Sequence, residues 1–139
     1  MYDRLLLATD GSERAGQAAR HAVALASSTG ATLHVLFVVE TRTAYDSAIV
    51  DADEMHENLR AVGTEALSEA ERLAAEADVA CETAVEEGVP AERIEAYVRR
   101  NDIDLVVVGE HGHAAFRTVL LGSTAEAVVH AVDVPVTVV

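Results

Sequence analysis

Lysine is missing altogether: every one of the 10 basic residues in this 139-residue chain is an arginine. A Walker-type phosphate loop needs a lysine on the phosphates. Schiff-base and pyridoxal chemistry need its amine, and protein kinases need one on a strand. None of these operates here in its usual form. Tryptophan is also absent and aromatic residues make up only 4% of the chain, so Ala, Val and Leu must build the core. Positive charge is scarce. Against 24 acidic residues the net charge is -14, whereas binding to nucleic-acid backbones demands clustered positive charge. Neither a nucleic acid nor an anionic membrane surface is an expected partner. Cys81 stands alone, which leaves no intramolecular disulfide and points to a reducing compartment. No segment approaches the roughly 18 continuous apolar residues of a membrane helix. The opening Arg4-Leu-Leu-Leu-Ala-Thr9 is too short and poorly flanked for a signal peptide. The expected location is cytoplasmic. Acidic excess without lysine predicts a high-salt cytoplasm, because carboxylates hold water and concentrated salt screens their repulsion. An ordinary acidic soluble protein is the alternative.

What the chain does contain is half hydrophobic residues in a length that suits one domain, 1–139. Leu5 to Ala8 is a short apolar run closed by the turn residues Thr9-Asp10-Gly11-Ser12, a buried strand. Ala15, Ala18, Ala19, Ala22, Leu25 and Ala26 fall at helical spacing, and Gly30 stops that helix. Leu33 to Val39 reads as a second buried strand, and Glu40 to Val50 as a loop. A long helix is predicted from about Asp51 to Ala77, with an apolar stripe of Met55, Leu59, Val62, Ala66, Ala70, Leu73 and Ala77. Val79 to Val85 predicts an edge strand. Gly88-Val89-Pro90 opens a third helix with Ile94, Tyr97 and Val98 facing inward. Asp104 to Val108, Ser123 to Ala131 and Pro135 to Val139 complete the series as strand, helix and strand. This alternation predicts an α/β fold, an open five-stranded parallel sheet with helices on both faces. Ligands of such sheets sit beyond the carboxyl ends of the strands, where strand order reverses.

Chemistry is concentrated after the fourth strand, where glycines stand at 109, 112 and 122 and Ser123 follows. Gly109 and Gly112 let backbone amides approach an anion. Gly122 and Ser123 begin a helix whose unpaired amides and dipole favour phosphate. Two anion-binding devices on one loop suit a polyphosphate.

On these residues the chain resembles the universal stress protein family, in its ATP-binding branch. Ala8-Thr-Asp-Gly-Ser12, Leu33 to Val39, Asp104 to Gly109, Leu120-Leu-Gly-Ser-Thr124 and Val134 to Val139 look like family signatures in family order. The acidic, lysine-free composition suggests a haloarchaeal type. The resemblance implies a strand order of 3-2-1-4-5 and a nucleotide between the first and fourth strands. It places Thr9 and Asp10 near the ribose and a magnesium ion, with Asp10 as the metal ligand. It places Val38 at the adenine. Val108 belongs to the same site, and Gly109, His111, Gly112, Gly122, Ser123 and Thr124 form the triphosphate cradle. It also implies a homodimer through the C-terminal strand.

Two positions depart from the family's commonest pattern. Glu110 stands where a small serine is frequent, and a carboxylate there repels phosphate unless it faces solvent or holds a cation. His113 stands where Arg or Lys is frequent and is mostly neutral at pH 7; Arg117 can compensate. Simpler roles remain open beside these. Asp10 can cap the first helix, Ser123 with Glu126 fits a capping box, and the glycines can serve only as turns. His21, His34, His56 and His130 lack metal-ligand spacing and carry no assigned role. The function expected is an adenine-nucleotide-binding stress regulator. A slow ATPase and a non-binding interaction module of the same fold are the alternatives.

Overall fold

Successive side chains of a strand point to opposite faces, so a strand apolar at every position must be covered on both sides. The computed structural model, which describes residues 2–10, 13–40, 52–109 and 123–139, has this arrangement. Strands β1 (Arg4–Thr9), β2 (Thr32–Glu40), β3 (Cys81–Gly88), β4 (Leu105–Val108) and β5 (Val136–Val138) form one parallel sheet in the order β3-β2-β1-β4-β5. Between them in the chain lie helices α1 (Glu13–Thr29), α2 (Ala52–Glu76), α3 (Pro90–Arg100) and α4 (Ser123–Ala131). Leu5, Leu7, Leu33, Val35, Phe37 and Val107 form a core with α1 and α2 on one face. Leu6, Leu36, Val106 and Val108 form a second core with α3 and α4 on the other. The open sheet, its strand order and its two helix layers match the sequence expectation.

Strand boundaries move where one side of the strand is open. β3 was expected at Val79 to Val85 but runs from Cys81 to Gly88. As an edge strand it pairs only with β2, so Glu82, Thr83 and Glu87 can face water while the backbone stays in register with Leu33 to Glu40. β4 begins at Leu105, one residue later than expected, because Asp104 has another task. Its carboxylate accepts the backbone N–H groups of Asp3 (2.8 Å) and Arg4 (2.9 Å), tying the start of β1 to β4. Those two bonds, Arg4 first, hold the Asp104 carboxyl below the usual carboxylate range. At β5, Pro135 lacks an N–H and contributes only its carbonyl, which accepts from Val106 at 3.0 Å.

The apolar stripe of α2 is rotated from the one expected. Val62 is 44% exposed, and the buried line instead runs through Gly63, Leu67, Ala70 and Ala74. Leu59, Leu73 and Ala77 pack at its margin; the side chain of Met55 lies outside the described residues. The cause is a contact between α2 and β2. A Cβ at position 63 would stand 2.2 Å from Cδ1 and 2.6 Å from Cγ of Phe37, so only a glycine lets the helix lie over that ring.

Three helices end in the same way. Gly30 follows α1 with φ 72°, and the Ala31 N–H reaches back to the Ala26 carbonyl at 3.0 Å. Asp78 (φ 57°) with the Val79 to Ala74 bond, and Asp102 (φ 51°) with the Ile103 to Val98 bond, repeat this geometry after α2 and α3. In each the left-handed residue lets the next amide satisfy a terminal carbonyl. Glycine was legible as a stop signal, but the two aspartates were not.

Two stability predictions follow from these contacts. Glycine to alanine inside a helix ordinarily gains about 0.5–1 kcal/mol, but overpacking a core costs about 1–3 kcal/mol. Gly63→Ala is therefore expected to lower stability in chemical denaturation, and a gain would contradict the Phe37 contact. Asp78→Gly relieves left-handed strain and removes an anion from the negative end of a helix dipole. It is expected to raise stability by about 1 kcal/mol; an unchanged denaturation midpoint would contradict this account of the α2 terminus.

Candidate functional site

β1 and β4 are adjacent in the middle of the sheet, with Leu5 to Ala8 paired to Leu105 to Val108. The chain leaves β1 into α1, on the face shared with α2. It reaches α4 after β4, on the face shared with α3. β1 then leads to β2 on one side, and β4 to β5 on the other. Connections that diverge to opposite faces and opposite sides leave a crevice between two adjacent strand ends, the switch point where α/β sheets bind ligands.

The residues expected at this crevice divide into four groups. Thr9, Asp10, Val108 and Gly109 come together at its mouth, since Ala8 pairs with Val108 and Thr9 continues one residue further. Val108 is buried, Thr9 and Gly109 are half-buried, and Asp10 is exposed. Val38 lies one strand away, one step beyond the Phe37 that pairs with Thr9. It is half-buried on the α3 side. Ser123 and Thr124 form the first residues of α4, as expected for amides presented at a helix start; their side chains lie outside the described residues. His111, Gly112 and Gly122, with Glu110, His113 and Arg117, also lie outside them.

A cleft of about 540 Å³ opens beside Thr9, between α1 and α2. Leu7, Ala19 and Ala70 are among its apolar walls, and Glu65 and Glu69 also line it. Sequence reasoning did not find it. The signal was present in small residues facing each other across two helices, Gly16 and Ala19 against Ala66 and Ala70. Its chemistry does not suit phosphate. The one arginine among its described lining residues, Arg72, is bound by Glu69 at 2.5 Å and by Glu76 at 2.6 Å. The carboxylates would repel an anion.

Among the described residues no group of three or more His, Cys, Asp or Glu is placed to hold a metal ion. No helix among them is long and apolar enough to cross a membrane.

Comparison with known proteins agrees with this architecture. The model of the universal stress protein family matches residues 1–139. A universal stress protein of Methanocaldococcus jannaschii is 33% identical over 140 residues, spanning 100% of this chain and 82% of that protein. The solved structure of universal stress protein UspA from Lactobacillus plantarum is 28% identical with a TM-score of 0.85, over 99% of this chain and 97% of that one. A solved universal stress protein in complex with cAMP is 26% identical with a TM-score of 0.75, again over 99% and 97%. Matched along its whole length by the family model, and by a relative one-third identical, the chain belongs to the universal stress protein family.

Proposed function

We propose that this protein binds an adenine nucleotide, ATP with magnesium, in the crevice between β1 and β4, and acts as a regulator whose nucleotide state is read by another protein. The observation that carries the reading is the convergence of Thr9, Asp10, Val108 and Gly109 at the switch point, with α4 beginning at Ser123. A helix start presents unpaired amides and a positive dipole end to phosphate. The cAMP complex of a structural relative supports an adenine-containing ligand. Asp10 is the single carboxylate assigned to the metal. Magnesium commonly binds through one or two carboxylates plus substrate phosphates and water, so a lone aspartate suffices. Gly109, Gly112 and Gly122 supply close backbone approach, and His111 and Thr124 line the phosphates in this reading.

Isothermal titration with magnesium and ATP in molar salt is expected to show saturable binding. At a ligand concentration of 100 times Kd the fold gains about 2.7 kcal/mol, visible as a rise in Tm. Gly122→Val is expected to abolish binding while leaving the ligand-free Tm unchanged. No heat and no Tm shift up to millimolar ATP would favour the interaction module. Phosphate release is expected below about 1 per second, the low end of enzyme turnover. A faster rate lost in Asp10→Ala would favour the ATPase.

The same reading includes a homodimer. β5 is the last strand of the sheet, and its Val136 and Val138 are half-buried. The opposite edge, β3, carries Glu82, Glu86 and Glu87. Charge blunts one edge and leaves the apolar one for pairing. Light scattering in molar salt is expected to give twice the 14.7 kDa chain mass. Removal of Thr137 to Val139 is expected to return it to one; a monomeric intact chain would refute the pairing.

A further inference from the structure

His34 is the buried polar residue of the described core, 4% exposed on β2. It lies on the sheet face covered by α3, in phase with Leu36. Its Nδ1 stands 2.8 Å from the Tyr97 hydroxyl of α3, and the two rings meet edge to face with centroids 5.6 Å apart. Its Nε2 is buried without a hydrogen-bond partner. The nearest charge to that atom is Glu82 on β3, at 3.5 Å. A bare Nε2 lone pair facing a carboxylate would be repelled, so the neutral ring carries its proton on Nε2 and accepts at Nδ1 from the Tyr97 hydroxyl.

The surroundings are otherwise apolar or already paired. Leu6, Leu36, Ile94 and Val98 belong to the same core. Arg100 lies 5.9 Å over the Tyr97 ring and is held by Glu86 at 2.7 Å. Arg4 of β1 acts at longer range and opposes a second positive charge. Burial pushes the Cys81 thiol up to about 11 and raises the Tyr97 hydroxyl as well, so both stay neutral near pH 6.

We propose that His34 and Tyr97, faced by Glu82, form an acid-sensitive latch between the sheet and α3, opened when His34 takes one proton from solvent. The proton must enter at Nδ1, the atom that accepts the Tyr97 hydrogen bond. The hydroxyl then has to turn from donor to acceptor, and a charged ring sits in an apolar layer. Glu82 offsets that charge only in part, because its side chain is 68% exposed and its field is screened by water. Burial is the largest influence and holds His34 below its ordinary range, ahead of the opposing pull of Glu82. The unfolded chain therefore binds more protons than the native one just below pH 6.5, and stability is lost as the pH falls through that window. Below the native midpoint both states are protonated and the slope vanishes.

The test is imidazole NMR with amide hydrogen exchange on the intact protein between pH 7.5 and 5. His34 is expected to titrate below the ordinary value of about 6.5. Protection of the Ile94 to Arg100 amides is expected to fall by up to about tenfold per pH unit, the limit for one proton, while α1 amides hold. In Tyr97→Phe the bond that favours the neutral ring is gone, so the His34 midpoint is expected to rise. In His34→Gln the selective loss in α3 is expected to disappear. A wild-type midpoint at or above 6.5, or equal losses in α1 and α3, would overturn the latch. So would a Tyr97→Phe midpoint equal to that of wild type, and this arm decides even if His34→Gln fails to fold.

Discussion

Leu5, Leu6 and Leu7 have no solvent exposure, and the rest of the molecule is arranged to keep them so. A strand that buries three consecutive leucines needs a helix layer on each face and a strand on each side. β2 and β4 supply the sides. α1 and α2 cover Leu5 and Leu7, and α3 and α4 cover Leu6. The crevice is a consequence of this coverage. Two connections that must reach opposite faces cannot both close over the adjacent ends of β1 and β4, and polar Thr9 and Asp10 occupy the place they leave.

The central strands were legible because burial on both faces leaves an unbroken apolar run that no amphipathic helix imitates. The edges were less so. Glu82, Glu86 and Glu87 look like loop residues, yet a parallel edge strand needs only one row of hydrogen bonds to form. The face of α2 was misread by about one position because hydrophobicity marks Val62, while packing is decided by the glycine beside it and the Phe37 ring. Asp78 and Asp102 are invisible as helix stops, since their role lies in a backbone conformation they tolerate. Strand ends alone put Thr9, Asp10, Val108 and Gly109 beside one another, while the roles given to Thr9, Asp10 and Val108 came from the family resemblance. The cradle from His111 to Gly122 rests on glycine spacing and family resemblance. His34 was passed over because isolated histidines carry no spacing signal; its partner Tyr97 is 63 residues away.

Charge is distributed in keeping with the fold. With 10 arginines against 24 acids, the cations are drawn into surface pairs. Arg72 joins Glu69 and Glu76, Arg99 joins Glu95, and Arg60 joins Glu87. Exposed pairs of this kind are worth only about 0–1 kcal/mol each, so the two apolar cores carry the stability. The pairing has a further effect at the α1–α2 cleft, where it leaves Arg72 engaged and carboxylates on the wall. Among the described residues that cleft therefore offers an anion no unpaired arginine.

That distribution makes the location of the proposed nucleotide the decisive issue. Amide chemical-shift mapping on adding magnesium and ATP addresses it directly. The account predicts that the largest shifts fall on Thr9, Asp10, Val38, Gly109 and the first turn of α4, with Glu65, Glu69 and Arg72 unmoved. Shifts confined to the α1–α2 cleft, or none at saturating ligand, would contradict it.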